Sequence, residues 1–119
     1  METHLNITRQ ELEALGLKLG IKTKVGVSGL ELALEQIVLL DRKQQDYGPH
    51  NIGKFGLQGL LVRINDKFER LINLITKNLN PTNEPTEDSF VDMSNYSIIG
   101  RLLMRNKWTG GDYDYQGEK

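Results

Sequence analysis

Apolar and polar positions recur along this chain with a helical period, and the recurrence breaks at stretches rich in glycine and proline. The strongest run is LQGLLVRINDKFERLINLITKNL, residues 57–79. Leu57, Leu60, Leu61, Ile64, Phe68, Leu71 and Ile75 recur there at spacings of three and four, which predicts an amphipathic helix with that row turned to the core. GLELALEQIVLLDRKQQDYG predicts another helix, opened by a capping box of Ser28 and Glu31 and ending near Tyr47. Its apolar row is Leu30, Leu34, Ile37 and Val38, with Asp41 next in phase. Before it, IKTKVGV at 21–27 reads as a connector, and TRQELEALGLKLG reads as a short helix capped by Thr8 and Glu11 and closed at Gly16 or Gly20. GPHNIGKFG at 48–56 reads as a loop, as does NPTNEPTE with Pro81 and Pro85. Thr86 is the expected cap of a last helix reaching about Met104, with Glu87 and Asp88 suited to its first turn. The expected fold is all-α: a small bundle of three main helices plus a short N-terminal one, as a single domain over 1–105 with a polar tail at 106–119. Three apolar faces in so short a chain also predict a homo-oligomer.

The last helix carries the most informative departure from this pattern. In EDSFVDMSNYSIIG, residues 87–100, Asp88, Asp92 and Asn95 fall inside the arc defined by Val91, Ile98, Ile99, Leu102 and Leu103, while Ser94, Ser97 and Arg101 fall outside. A carboxylate on the core side needs a metal, a cation or a set of donors. Asp88 and Asp92 stand one turn apart, so they can share one cation. Asp66 on the preceding helix is a third acid, although the helical count turns it away from the apolar centre. The bland alternatives are a helix-dipole role for Asp88 and a buried pair of Asp92 with Arg63 or Arg70. Arg63, Lys67 and Arg70, at i, i+4 and i+7, line one flank of the preceding helix. They are either a solvated face with an Asp66–Arg70 pair or, together with Lys43, a phosphate clamp. Tyr47, His50, Asn51 and Lys54, around the glycine-rich segment, and Tyr96 are candidate base or sugar contacts. Phe55, Tyr96 and Trp108 can stack on a base or pack.

Composition narrows the chemistry. Lys plus Arg is 15 against 16 Asp plus Glu, a net charge of −1, which argues against a generic nucleic-acid binder. The absence of cysteine excludes disulfides and thiolate metal sites, and only His4 and His50 supply imidazole. A metal would therefore be a hard cation held by oxygen, Mg²⁺ or Mn²⁺. METHLNITRQELEAL lacks a basic start followed by an apolar run, and no stretch approaches a membrane span, so the expected location is the cytoplasm.

KQQDYGPHNIGKFGLQGLLVRINDKFERLINL followed by EPTEDSFVDMSNYSIIG resembles the nucleotide modification associated domain family, type one, a small helical family found largely in phages and prophages. The matching elements are Lys43, Asp46, Tyr47 and Gly48; Phe55 and Gly56; Arg63, Asp66, Lys67, Arg70 and Leu71; then Glu87, Asp88, Asp92, Asn95 and Tyr96. They fall within 43–100, about half the chain. The resemblance implies a role near modified-nucleotide metabolism in a phage-infected or lysogenic bacterial cell. More distantly, the chain is similar to the all-α NTP pyrophosphatases, the MazG-like and dimeric dUTPase-like group, which hold Mg²⁺ between acidic motifs on two helices. Asp88 and Asp92 look like the second motif. For the first, RINDKFERL offers only Asp66 and Glu69 among three cations, which suits a single Mg²⁺ or none.

Three functions follow as expectations. One is Mg²⁺-dependent release of pyrophosphate from a nucleoside triphosphate, with Asp88 and Asp92 on the metal, Arg63, Lys67 and Arg70 on the phosphates, and Asn95 placing sugar or water. Another is a non-catalytic protein that binds or sequesters a nucleotide, in a modification or anti-defence pathway. The last is a structural interaction module, in which the polar row is an ion-pair network.

Overall fold

The computed structural model describes residues 5–108, and these form an all-α fold. Five helices occur among the described residues: α1 (Arg9–Lys18), α2 (Lys24–Tyr47), α3 (Pro49–Gly53), α4 (Gly56–Thr76) and α5 (Thr86–Met104). None of them is long and apolar enough to cross a membrane. His4 and residues 109–119 of the polar tail lie outside the described residues. Two compact units divide the chain, Glu2–Asp41 and Arg42–Lys119.

In the first unit, α1 opens on the expected capping box. Glu11 N–H donates to Thr8 Oγ1 at 3.1 Å and Thr8 N–H to Glu11 Oε1 at 2.7 Å. The helix runs past Gly16, which is buried inside it, and stops at Gly20, where φ is +85°. Gly20 N–H donates to Leu17 O at 3.0 Å and Ile21 N–H to Gly16 O at 2.9 Å, the paired bonds that satisfy a helix's last carbonyls. Across to α2, Arg9 lies 3.6 Å from Glu31.

The start of α2 corrects the sequence reading. Residues 24–27 are helical, and Ser28 sits exposed within the first turns instead of capping them. Thr23 supplies the cap, its Oγ1 accepting Gly26 N–H at 3.0 Å. This early start depends on glycine at 26, where an added Cβ would lie 2.6 Å from Ile21 Cγ2. The capping-box pattern at Ser28 lost to a better hydroxyl five residues earlier. Of the expected apolar row, Leu30, Leu34 and Val38 are half-buried, and Ile37 is exposed.

In the second unit, the glycine-rich segment expected to be a loop contains the short helix α3. Gly48, at φ +69°, reverses the chain after α2, and Pro49 occupies the first helical position, where its missing N–H costs nothing. α4 and α5 pack side by side. Leu60 approaches Gly100 and Arg70 approaches Ser89, so the two helices run antiparallel. Leu60, Leu71, Val91 and Ile99 are buried between or beside them.

The packing face of α4 is not the whole row read from sequence. Only Leu60 and Leu71 of that row are buried, whereas Leu57, Leu61, Phe68 and Ile75 are exposed. The face is rotated toward Arg63, Lys67 and Arg70, all part-buried. An apolar arc this wide cannot meet one neighbour along its full width. Ser89 and Gly100 are the small residues that let α4 come close, and a Cβ at Gly100 would lie 3.2 Å from Leu60 Cδ2.

The cap of α5 also differs from expectation. Thr86 is the first helical residue, and Pro85 holds the cap position without a side-chain bond. Arg70 compensates: its guanidinium donates to Ser89 Oγ at 2.7 Å, to Pro85 O at 3.4 Å and to Glu84 O. α4 and α5 both end on asparagine in the left-handed conformation, Asn78 at φ +51° and Asn106 at φ +55°. Each is followed by the same paired bonds seen after Gly20, here from Leu79 N–H to Leu74 O and from Lys107 N–H to Leu102 O.

Candidate functional site

The polar row of α5 lies on the inner side of that helix. Asn95 and Ile99 are buried, Asp88 and Asp92 are part-buried, and Ser94, Ser97 and Arg101 are exposed. At its centre, the Asp92 side chain is only 16% exposed and is held by two lysines from different helices. Lys67 Nζ of α4 lies 3.0 Å from Oδ2, and Lys43 Nζ of the last turns of α2 lies 3.5 Å from Oδ1. Neither Arg63 nor Arg70, the partners of the alternative reading of Asp92 as an ion pair, takes this position.

The pairing sets the state of Lys67. Its hydrogen bond to Asp92 raises the ammonium pKa above the ordinary 10.5, against an opposing effect of burial. The charge of Asp92 and the nearby Tyr96 and Glu84 act in the same raising direction. Lys67 is therefore a fixed cation at neutral pH. Tyr96 stands one turn of α5 beyond Asp92 and is half-buried.

The other expected clamp residues are spent elsewhere in the fold. Arg63 Nη2 donates to Asn51 O at 3.4 Å and ties α3 to α4. Arg70 fastens the start of α5, as described above. Asp66 is exposed on α4, and the sequence-predicted Asp66–Arg70 pair gives way to these loop contacts. Tyr47, His50 and Asn51 stand exposed at the α2–α3 corner. Phe55 is exposed with Lys54 Nζ 5.6 Å from its ring centroid, and the Trp108 indole packs on Gly53, where a Cβ would lie 2.8 Å from Nε1.

A divalent cation fits this set of side chains poorly. Among the described residues, no group of three or more His, Cys, Asp or Glu side chains is placed to hold a metal. Asp92 is already paired with two ammonium groups, which compete with any cation for its oxygens.

No family model, no curated protein and no solved structure matches this chain.

Sequence reasoning overlooked Ser89. It is completely buried and is the acceptor that holds Arg70 against α5. Its signal was size: Ser89 and Gly100 are eleven positions apart, three helical turns, on the face that meets α4. Sequence reasoning also did not find the cavity of about 270 Å³ in the first unit, lined by Leu5, Thr8, Arg9, Leu12, Glu31 and Glu35 among others.

Proposed function

We propose that the protein binds a nucleoside phosphate without turning it over, taking phosphate oxygens between Lys43 and Lys67. The observation that carries this reading is the convergence of two lysines, from separate helices, on one part-buried carboxylate. Ammonium groups fixed about an oxygen anion are the arrangement a phosphate uses. Asp92 is the resident anion when no ligand is bound, and it keeps the two cations in register. Tyr96, one turn of α5 beyond Asp92, and the exposed corner of Tyr47, His50 and Asn51 supply the contacts to base and sugar. The resemblance of residues 43–100 to the nucleotide modification associated domain points the same way, toward a phage or prophage setting. Hydrolysis dependent on Mg²⁺ or Mn²⁺ finds less support, since Asp92, the acid expected on the metal, is already paired with Lys43 and Lys67.

Incubation of the full chain with a mixed pool of nucleotides, with and without Mg²⁺ or Mn²⁺, tests this. Mass spectrometry of the free and protein-retained fractions is expected to find one nucleotide retained unchanged, with or without metal. A triphosphate converted to monophosphate only with metal would replace binding with hydrolysis.

A structural interaction module is the second reading. It is favoured by one observation: Arg63, Lys67 and Arg70 each have a partner inside the fold. A pool left untouched, with nothing retained, would establish this reading over the first.

A further inference from the structure

α4 carries a second apolar face that its packing on α5 leaves open. Leu57, Leu61, Phe68, Ile72 and Ile75 fall on one stripe and are between 40% and 64% exposed. The stripe spans about 27 Å of helix, from residue 57 to residue 75. It is continuous along α4 and separate from the side that holds Arg63, Lys67 and Arg70. The row is contiguous, whereas apolar side chains scattered singly need no explanation.

We infer that this stripe is the interface of a homodimer, in which α4 pairs antiparallel with α4 of a second copy. The occupant follows from the pattern itself. Counted from position 66, Leu57 lies nine residues before and Ile75 nine after; Ile64 lies two before and Phe68 two after; Leu61 lies five before and Ile72 six after. A two-fold axis beside position 66 therefore sets apolar against apolar along the whole stripe, as an isologous contact requires. The outer edge beside the stripe is Gln58, Asn65 and Thr76, all uncharged, so pairing two identical edges brings no like charges together. Glu69 and Asp66 lie further round the helix.

The area agrees with a dimer of modest strength. Five large apolar side chains, about half exposed, present roughly 300 Å² of apolar surface per copy, the size of the largest patch on a typical monomer, a patch that is often functional. With interfaces about 60% apolar, the complete contact is about 1,000 Å² over both copies. That is the lower bound for a specific interface. This inference does not depend on the nucleotide reading.

Sedimentation velocity of the full chain over a wide concentration range is the test. The expected result is a monomer–dimer equilibrium. Leu61→Glu and Phe68→Glu each weaken the dimer more than about tenfold, as loss of a central apolar contact does, while helix content by circular dichroism stays unchanged because both side chains are exposed. The chain has no cysteine, so Asn65→Cys gives a lone thiol beside the proposed axis. A short bismaleimide is expected to cross-link Asn65→Cys into a dimer and to leave Ser97→Cys, on the exposed side of α5, monomeric. A chain that stays monomeric at every concentration overturns the inference. So does a dimer that survives both glutamate substitutions, or one that cross-links equally through position 97.

Discussion

Lys67 is the residue on which packing and charge meet. Its stem lies in the α4–α5 seam, and its ammonium group is bonded to Asp92. Because the folded pKa is raised above 10.5, the pair's contribution to stability is fully present below the unfolded pKa. It is lost as pH rises through the higher folded value. Lys67→Met is therefore expected to cost about 1 kcal/mol at neutral pH. Urea denaturation of the two proteins should show that difference holding steady through neutral pH and shrinking only above about 10.5. Ser89→Ala tests the other polar anchor. It removes the buried acceptor of Arg70 and is expected to cost about 1.5 kcal/mol, the scale of a hydrogen bond to a charged group. Loss of less than a third of that would mean the carbonyls of Glu84 and Pro85 alone hold the guanidinium.

At the scale of elements, helix ends decide where the chain turns. Asn78 and Asn106 adopt positive φ at a cost that glycine does not bear. Asn106→Gly is expected to raise the urea midpoint, by an amount worth roughly 0.5 to 1 kcal/mol. The same elements mark how far the sequence could be read. The existence of the long helices, the end of α2 at Tyr47 and the Thr8 cap were legible because each has a local signal: a period, a glycine, a hydroxyl followed by a glutamate. The early start of α2 was not, because it rests on Ile21 folding back over Gly26. α3 was hidden by the density of glycines around it. The rotation of α4 was hidden too, since seven apolar positions in phase do not say which two will be buried. The Gly53–Trp108 contact was equally invisible, being a pairing of distant segments. Gly53→Ala is expected to dislodge the indole. Trp108 is the only tryptophan, so its emission should shift to longer wavelength. An unchanged spectrum would mean that Trp108 is not seated on α3.

At the scale of the molecule, the polar row of α5 was legible as core-side, but its partners were not. A pair with Arg63 or Arg70 was the alternative reading of Asp92, yet Asp92 is reached by Lys43 and Lys67 while Arg63 and Arg70 secure α3 and the α4–α5 loop. Helical spacing gives the face of one helix, and it does not give the level at which another helix crosses it. That division of labour leaves two lysines, and not four cations, as the centre of the proposed phosphate site. A nucleotide present at 100 times its dissociation constant should then stabilise the fold by about 2.7 kcal/mol.

The decisive measurement is calorimetric titration of the nucleotide identified by mass spectrometry into wild type and Asp92→Asn, without divalent metal. If Asp92 stands where the phosphate goes, removing its charge takes away a competitor for Lys43 and Lys67. Asp92→Asn is expected to bind about tenfold more tightly, the effect of roughly 1.4 kcal/mol of relieved repulsion. Weaker binding by Asp92→Asn, or wild-type binding that appears only when Mg²⁺ is added, would contradict it and make Asp92 a ligand-side or metal-side group.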